Sequence, residues 1–248
     1  MSTVSITDHD TFWGYRDALE PAKEFQIRLV SGIELSTSWR TNGRFQEEIH
    51  VLWYGADTES NGVIAFEQRI KESQNRRIER VLDLMKGSGL VLDSRAIICA
   101  AEPAPACVPH IVFHMIERGY LPYDFKAIEQ FVLSSFSPGG AFFLQPALDT
   151  LDAINEISAL GGSTVLAHPG KIANYQIIDR LLQSVDGVEI CHPSHLPEQV
   201  SAFRLLATER NLHCTAGTDF HGYYEPAYSP IHVDPSSKAL VERFAAVI

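Results

Sequence analysis

From Thr150 to Ala216 the chain repeats one unit, a short apolar run of strand length followed by an amphipathic stretch of helix length. The runs Ser163–Ala167, Gly187–Ile190 and Leu212–Ala216 read as buried strands. The stretches Thr150–Leu160, Tyr175–Ser184 and Leu196–Asn211 read as the helices around them. Two earlier apolar runs, Ile27–Val30 and Ile49–Leu52, have the same strand character. Strands that alternate with helices pair in parallel, so this pattern predicts an α/β sheet or barrel of βα units. Residues 62–145 break the rhythm. Apolar positions at Phe66, Ile70, Ile78, Val81, Leu82 and Met85 predict one helix, residues 110–118 a second and residues 124–133 a third. The expected division is a core of residues 1–61 and 146–248, with residues 62–145 inserted as a helical cap over one end.

Size and charge bound what such a chain does. With 248 residues and 45% hydrophobic content it can bury a sizeable core. It holds no run of about 18 apolar residues, and the start lacks the basic-then-apolar pattern of a signal peptide, so a cytoplasmic protein without a membrane partner is expected. Cys99, Cys107, Cys191 and Cys214 lack CxxC spacing, which predicts reduced thiols. A formal charge of -11 opposes binding along a nucleic-acid duplex, unless bound cations reverse the field locally.

Ten histidines direct attention to such cations. His9 in TDHDT, Glu34 in SGIELS, His50 in EIHVL, His168 in VLAHPG, and Asp219 and His221 in GTDFHG each stand at or just after an expected strand. In a parallel barrel those ends converge on one face, where active sites form. Imidazole nitrogens and carboxylates suit manganese, iron or zinc. Singly each is weak evidence; together they predict a metal centre. Asp8 and Asp10 flank His9 and suit orienting its ring, while Asp10 suits equally well a helix N-cap. No Gly-x-Ser-x-Gly elbow is present to supply a serine nucleophile.

TDHDT, SGIELS, IHVL, GGSTVLAHPG and GTDFHG, in that order, resemble the successive motifs of the polymerase-and-histidinol-phosphatase (PHP) superfamily. The inserted helices are similar to those of its branch of ribonucleases and nucleotide phosphatases. The resemblance runs from Val4 to about Gly222. It implies a distorted (β/α)7 barrel that holds up to three divalent ions and hydrolyses phosphate esters of nucleotides, either 3′,5′-bisphosphonucleotides or the 5′ ends of short RNA. A metal-activated hydroxide would attack in line. Carried over, Glu34, His50 and His168 hold one ion, Glu34 bridges to a second that Asp219 also binds, and His9 and His221 belong to a third. Glu34 and Asp219 are thereby implied in catalysis. Relatives open with an Asp-x-His-x-His strand and a helix ahead of the segment matching TDHD. Their absence here implies fewer ions and a barrel incomplete at its start, through a truncated or wrongly started reading frame or through real loss.

Other residues are candidates for substrate contact. His192 in VEICHPSH either reaches the phosphate and protonates the leaving oxygen or lines the loop, with His195 beside it. Arg77, with Arg76 and Arg80, lies on a helix and either forks onto a phosphate or is solvated. His110 and His114 are one helical turn apart; His110 is the substrate candidate and His114 is expected to pack or face solvent. Where the branch carries Arg-Pro-His, this chain has Val108-Pro109-His110. Two alternatives stand beside the phosphoesterase. One is a degenerate barrel that binds metal or a partner without catalysis. The other is a metal amidohydrolase, which also gathers histidines and carboxylates at strand ends but uses a His-x-His on its first strand, absent here.

Overall fold

A computed structural model describes residues 3–221. Two short strands, β1 (Thr3–Ser5) and β2 (Arg28–Val30), pair in parallel as one sheet, with the short helices α1 (Trp13–Asp17) and α2 (Leu19–Glu24) between them. The main sheet runs β3-β4-β5-β6-β7, from β3 (Gly32–Thr41) and β4 (Arg44–Tyr54) to β5 (Ser163–Leu166), β6 (Gly187–Cys191) and β7 (His213–Ala216). The five strand runs read from the sequence all lie on these strands, shifted by a few residues at their ends. The main sheet is not purely parallel. β3 pairs antiparallel with β4, and β4 antiparallel with β5; the pairs β5–β6 and β6–β7 are parallel.

The reason is the turn Asn42-Gly43. It joins Thr41 to its partner Arg44 with both central residues at positive φ, 51° and 74°, which is the hairpin geometry that asparagine and glycine tolerate. Among the described residues the strands form two sheets and not one closed ring. Ser31 links β2 directly to β3, and a bridge ties the segment after β1 to β3, where Glu34 accepts from the Asp10 amide at 2.9 Å and donates to the Asp8 carbonyl at 3.1 Å.

The helices α7 (Thr150–Leu160), α8 (Tyr175–Leu181) and α9 (Pro197–Arg210) connect the later strands. Asp149 caps α7 and Asn174 caps α8, each through its side-chain oxygen. At the exit of α7 a Cβ on Gly162 would meet the Tyr54 carbonyl and the Trp53 ring at 2.5 Å, so only glycine lets the chain pass there into β5. The main core gathers the inner face of the large sheet, with Ile33, Leu35, Val51 and Trp53 almost fully buried. A second apolar cluster forms from the C-terminal half of α3 (Asn61–Gly87) with α4 (Ser94–Ala101), α5 (Val108–Glu117) and α6 (Phe125–Phe136). α4 has no counterpart among the helices expected from the sequence.

One polar knot ties the N-terminal segment to α3. Glu67 accepts from the Phe12 amide at 2.7 Å, from the Thr11 hydroxyl at 3.1 Å, and from both terminal nitrogens of Arg16 at 3.0 and 2.8 Å. Glu67→Ala leaves an amide and a guanidinium unpaired in a partly buried place. It is expected to destabilise the fold by about 2–3 kcal/mol, read from urea unfolding. A loss below about 0.5 kcal/mol, the level of an exposed ion pair, would show the knot to be solvated.

Candidate metal centre

Alternation along β3 buries Ile33 and Leu35 in the core and sends Glu34 and Ser36 to the opposite face. His50 on β4 lies opposite Ser36 and so shares that second face. The turn after β5 brings in His168, the turn after β6 brings in His192, and the segment after β7 brings in Asp219. The segment 8–10 runs beside β3 and delivers His9.

Three atoms define the centre. Glu34 Oε1 lies 2.8 Å from His50 Nδ1 and 2.9 Å from His168 Nε2, and the two ring nitrogens are 3.1 Å apart. Donors at right angles around an ion with bonds of about 2.1 Å stand about 3 Å from one another, so this triangle has the dimensions of one face of a coordination shell. His9, Glu34 and His50 likewise offer ligand atoms that all lie within 4.8 Å. The donor set fits a divalent ion of the manganese, iron or zinc kind. His9, His50, His168, His192 and His195 form a continuous row of ring contacts, with centroids 4.9 to 5.3 Å apart, and His221 joins at His9 with 5.7 Å.

Electrostatics follow from burial and this geometry. Burial raises the Glu34 carboxyl, but the neighbouring His9 charge and bonds from His168 and His50 outweigh it and hold the group well below its usual range. Burial disfavours charge on His50, yet the hydrogen bond to Glu34 and the nearby Glu48 carboxylate prevail and push its pKa up to about 10. Burial dominates at His168 and lowers it to about 4, and at His9, which is also lowered. Behind the centre, burial pushes Glu189 up to about 8 while its Oε2 accepts from the His168 amide at 2.8 Å.

Three residues of this region, Asp10 (φ 60°), His168 (φ 26°) and Asp219 (φ 53°), hold left-handed backbone that non-glycine residues adopt at a cost. Asp10 is not a helix N-cap. Its carboxylate accepts from the Ser36 amide at 2.9 Å, and α1 begins later, without a side-chain cap. Asp10 thus fixes the segment that carries His9 against β3.

The second half of the site is built around Asp219. Its Oδ2 accepts from Lys171 Nζ at 2.5 Å and lies 3.4 Å from His192 Nε2. Burial raises the Asp219 carboxyl, and His192 and Lys171 together outweigh that and hold it well below the usual carboxylate range. His192 Nδ1 accepts the Ser194 amide at 3.1 Å, so the neutral ring carries its proton on Nε2, the nitrogen that faces Asp219. His195 is consumed by the scaffold: Nδ1 donates to the Ile190 carbonyl at 2.7 Å and Nε2 accepts from the Gly170 amide at 3.1 Å. His221 donates from Nδ1 to the Asp219 carbonyl at 2.7 Å, which makes Nε2 its lone-pair nitrogen.

The substrate candidates lie further out. Arg77 donates from Nε to the Leu144 carbonyl at 2.6 Å, and its NH2 is 3.7 Å from Glu48. His110 takes the Cys107 amide on Nδ1 at 3.2 Å and so closes the first turn of α5. His114 donates back to the His110 carbonyl at 2.9 Å.

Three participants escaped the reading of the sequence: Glu48, Lys171 and Glu189. Glu48 was legible, since it stands two residues before His50 and strand alternation puts both on one face. Glu48 Oε1 is 3.7 Å from His50 Nε2, beyond hydrogen-bond reach but near enough for its charge to act on the ring's second nitrogen. Glu48→Ala is expected to weaken Mn²⁺ binding about tenfold in calorimetry, with Glu48→Gln in between. Unchanged affinity in both variants would remove Glu48 from the centre.

No family model matches the chain. A 5′-3′ exoribonuclease of Haemophilus influenzae is 27% identical over 229 residues, covering 89% of this chain and 80% of the relative. A phosphoribosyl 1,2-cyclic phosphate 1,2-diphosphodiesterase of Eggerthella lenta is 27% identical, covering 90% and 84%. A 3′,5′-nucleoside bisphosphate phosphatase of Chromobacterium violaceum is 26% identical, covering 88% and 76%. Among solved structures, an amidohydrolase of Chromobacterium violaceum with bound sulfate superposes with a TM-score of 0.79 at 22% identity, covering 99% of this chain and 86% of that one. A Bifidobacterium adolescentis protein described as a metal-dependent phosphoesterase gives 0.79 at 21%, covering 98% and 86%. By sequence the chain is similar to phosphoesterases that act on nucleotides and RNA, and by fold it is similar to these two solved structures.

Proposed function

We propose that the chain is a metal-dependent phosphoesterase acting on nucleotide phosphate esters, either 3′,5′-bisphosphonucleotides or the 5′ ends of short RNA. The convergence of Glu34 Oε1, His50 Nδ1 and His168 Nε2 within 3.1 Å of one another carries this reading. The relatives named an exoribonuclease and a bisphosphate phosphatase supply the substrate class. Glu34, His50 and His168 would hold one divalent ion, and Asp219, His9 and His221 the rest of the metal set. When bound, such ions acidify water and neutralise the charge that develops on phosphoryl oxygens.

The chain's own groups do the remaining work. Glu34 and Asp219 keep negative charge in a partly dry site because neighbouring nitrogens hold both carboxyls ionised. His192 turns Nε2 toward Asp219 at 3.4 Å, and as an imidazolium it would supply the proton that the leaving oxygen takes up, returning to the neutral ring. In this reading the two sheets are parts of one distorted (β/α)7 barrel, supported by the bridge between His9 and Glu34. Residues 62–145 act as a cap, and Arg77 and His110 on its helices meet the substrate. Among the described residues no helix is long and apolar enough to cross a membrane, in keeping with a cytoplasmic enzyme for small phosphorylated substrates.

The test is phosphate release by the purified chain from a 3′,5′-bisphosphonucleotide and from a short 5′-phosphorylated RNA, with Mn²⁺ and with EDTA. Release with Mn²⁺ that EDTA abolishes is expected. Metal binding without release from either substrate would favour the non-catalytic alternative.

A further inference from the structure

Lys171 belongs to the turn Pro169–Lys171 that begins directly after His168. Its amide donates to the His168 carbonyl at 2.9 Å, and the next residue back, Gly170, is pinned by its amide to His195. One tight turn therefore carries both a nitrogen of the metal centre and an ammonium group. That ammonium donates to Asp219 Oδ2 at 2.5 Å. Among the described residues its other ion-pair neighbours are imidazoles, His192 at 3.4 Å and His221 at 3.6 Å, with the Glu189 carboxyl also close enough to act on it. Lys171 supplies a full positive charge there, whatever the protonation of the rings. The pair is asymmetric in exposure: the Asp219 side chain is 17% exposed and the Lys171 side chain 44%. The carboxylate is therefore held in the site, while the ammonium reaches it from the solvent side and can leave without disturbing the core.

We propose that Lys171 is a built-in cation for Asp219, one that a divalent ion must displace from Oδ2 in order to bind. The inference rests on the reading of Asp219 as a metal ligand, and on no particular substrate. Two consequences follow from charge alone. The ammonium lowers the affinity of the Asp219 position for divalent ions, since it both repels the ion and occupies its ligand atom. It also holds Asp219 in its left-handed backbone conformation through the metal-free state, where a lone carboxylate would lack a counter-charge.

The sign of the effect separates this role from a merely structural one, because loss of a structural residue weakens metal binding. Mn²⁺ titration calorimetry on the full chain is expected to show Lys171→Met binding at least about tenfold more tightly than wild type, the size of one unit charge removed at short range near a surface. Lys171→Arg, which keeps the charge, should stay near wild type. The gain should disappear when Asp219→Asn is present in both proteins of the pair. Circular dichroism confirms that each variant is folded. Affinity for Mn²⁺ that is unchanged or weaker in Lys171→Met, a gain that persists beside Asp219→Asn, or no Mn²⁺ binding by any of the five proteins would overturn the proposal. Phosphate release is measured separately, so a chain that hydrolyses phosphate esters but fails this titration loses only the role of Lys171.

Discussion

Glu34→Gln is expected to reduce phosphate release by about a hundredfold or more and to strip the ion from the centre, because this one carboxylate serves every other ligand there. Its Oε1 lies within 2.9 Å of both His50 Nδ1 and His168 Nε2, while those two nitrogens are themselves 3.1 Å apart. Glutamine keeps the volume and one oxygen but removes the negative charge. Two imidazole nitrogens then face each other with no anion between them, and a divalent ion meets a neutral amide in place of a carboxylate. The loss should appear in metal content as well as in rate, which distinguishes a ligand from a residue acting only in turnover. Metal analysis and phosphate release on the same preparation measure both. A variant that keeps a full complement of ion, or more than a tenth of the wild-type rate, would place the reacting centre elsewhere.

How far the sequence foretold this site depends on which signal carried each part. The order of strands and helices after Thr150 was legible because continuous apolar runs of strand length alternate there with longer stretches whose apolar positions recur near every 3.6 residues. The same reasoning failed at β3. Its residues Gly32 to Thr41 mix buried polar groups such as Thr37 and Ser38 with apolar ones, and their burial depends on partners far away, Thr150 and the Pro146 carbonyl. The Asn42-Gly43 signal in the same segment was sufficient to predict the hairpin, and with it the antiparallel pairing.

Among the polar residues, histidines at strand ends stand out because the type is rare and the strand ends can be located. Lys171 and Glu48 do not stand out, since lysine and glutamate are common on surfaces and acquire meaning only from the neighbour they face. His195 shows the converse. It reads as a site residue, yet both of its nitrogens are spent on backbone groups.

Metal affinity should rise about tenfold for each pH unit between pH 7 and 9, because one and only one ligand of the Glu34 centre must lose a proton in that range. His50 keeps its proton up to a pKa of about 10, drawn up by Glu34 and Glu48 against the effect of burial. His168, lowered to about 4 by burial, is already neutral, and His9 is lowered too. Glu34 is ionised throughout. An ion that takes His50 Nδ1 as a ligand therefore expels one proton, and mass action makes binding tighter as protons become scarce.

The metal-free protein should respond in the opposite direction. A histidine whose folded pKa is raised contributes stability that is fully present below about 6.5 and is lost as the pH climbs towards 10. The lowered carboxyl of Glu34 contributes above about 4.5 and fails as the pH falls below it. The pair thus stabilises the metal-free fold most between about pH 4.5 and 6.5, and its melting temperature should decline from pH 7 to 9 while Mn²⁺ affinity climbs. Calorimetric titrations at pH 8 in two buffers of different ionisation enthalpy count the proton directly, with about one released per ion expected at this centre. Affinity that stays flat from pH 7 to 9, with no proton passed to the buffer, would mean that His50 does not give up Nδ1 to the metal, and the triangle with Glu34 and His168 would then be a hydrogen-bonded cluster of the scaffold.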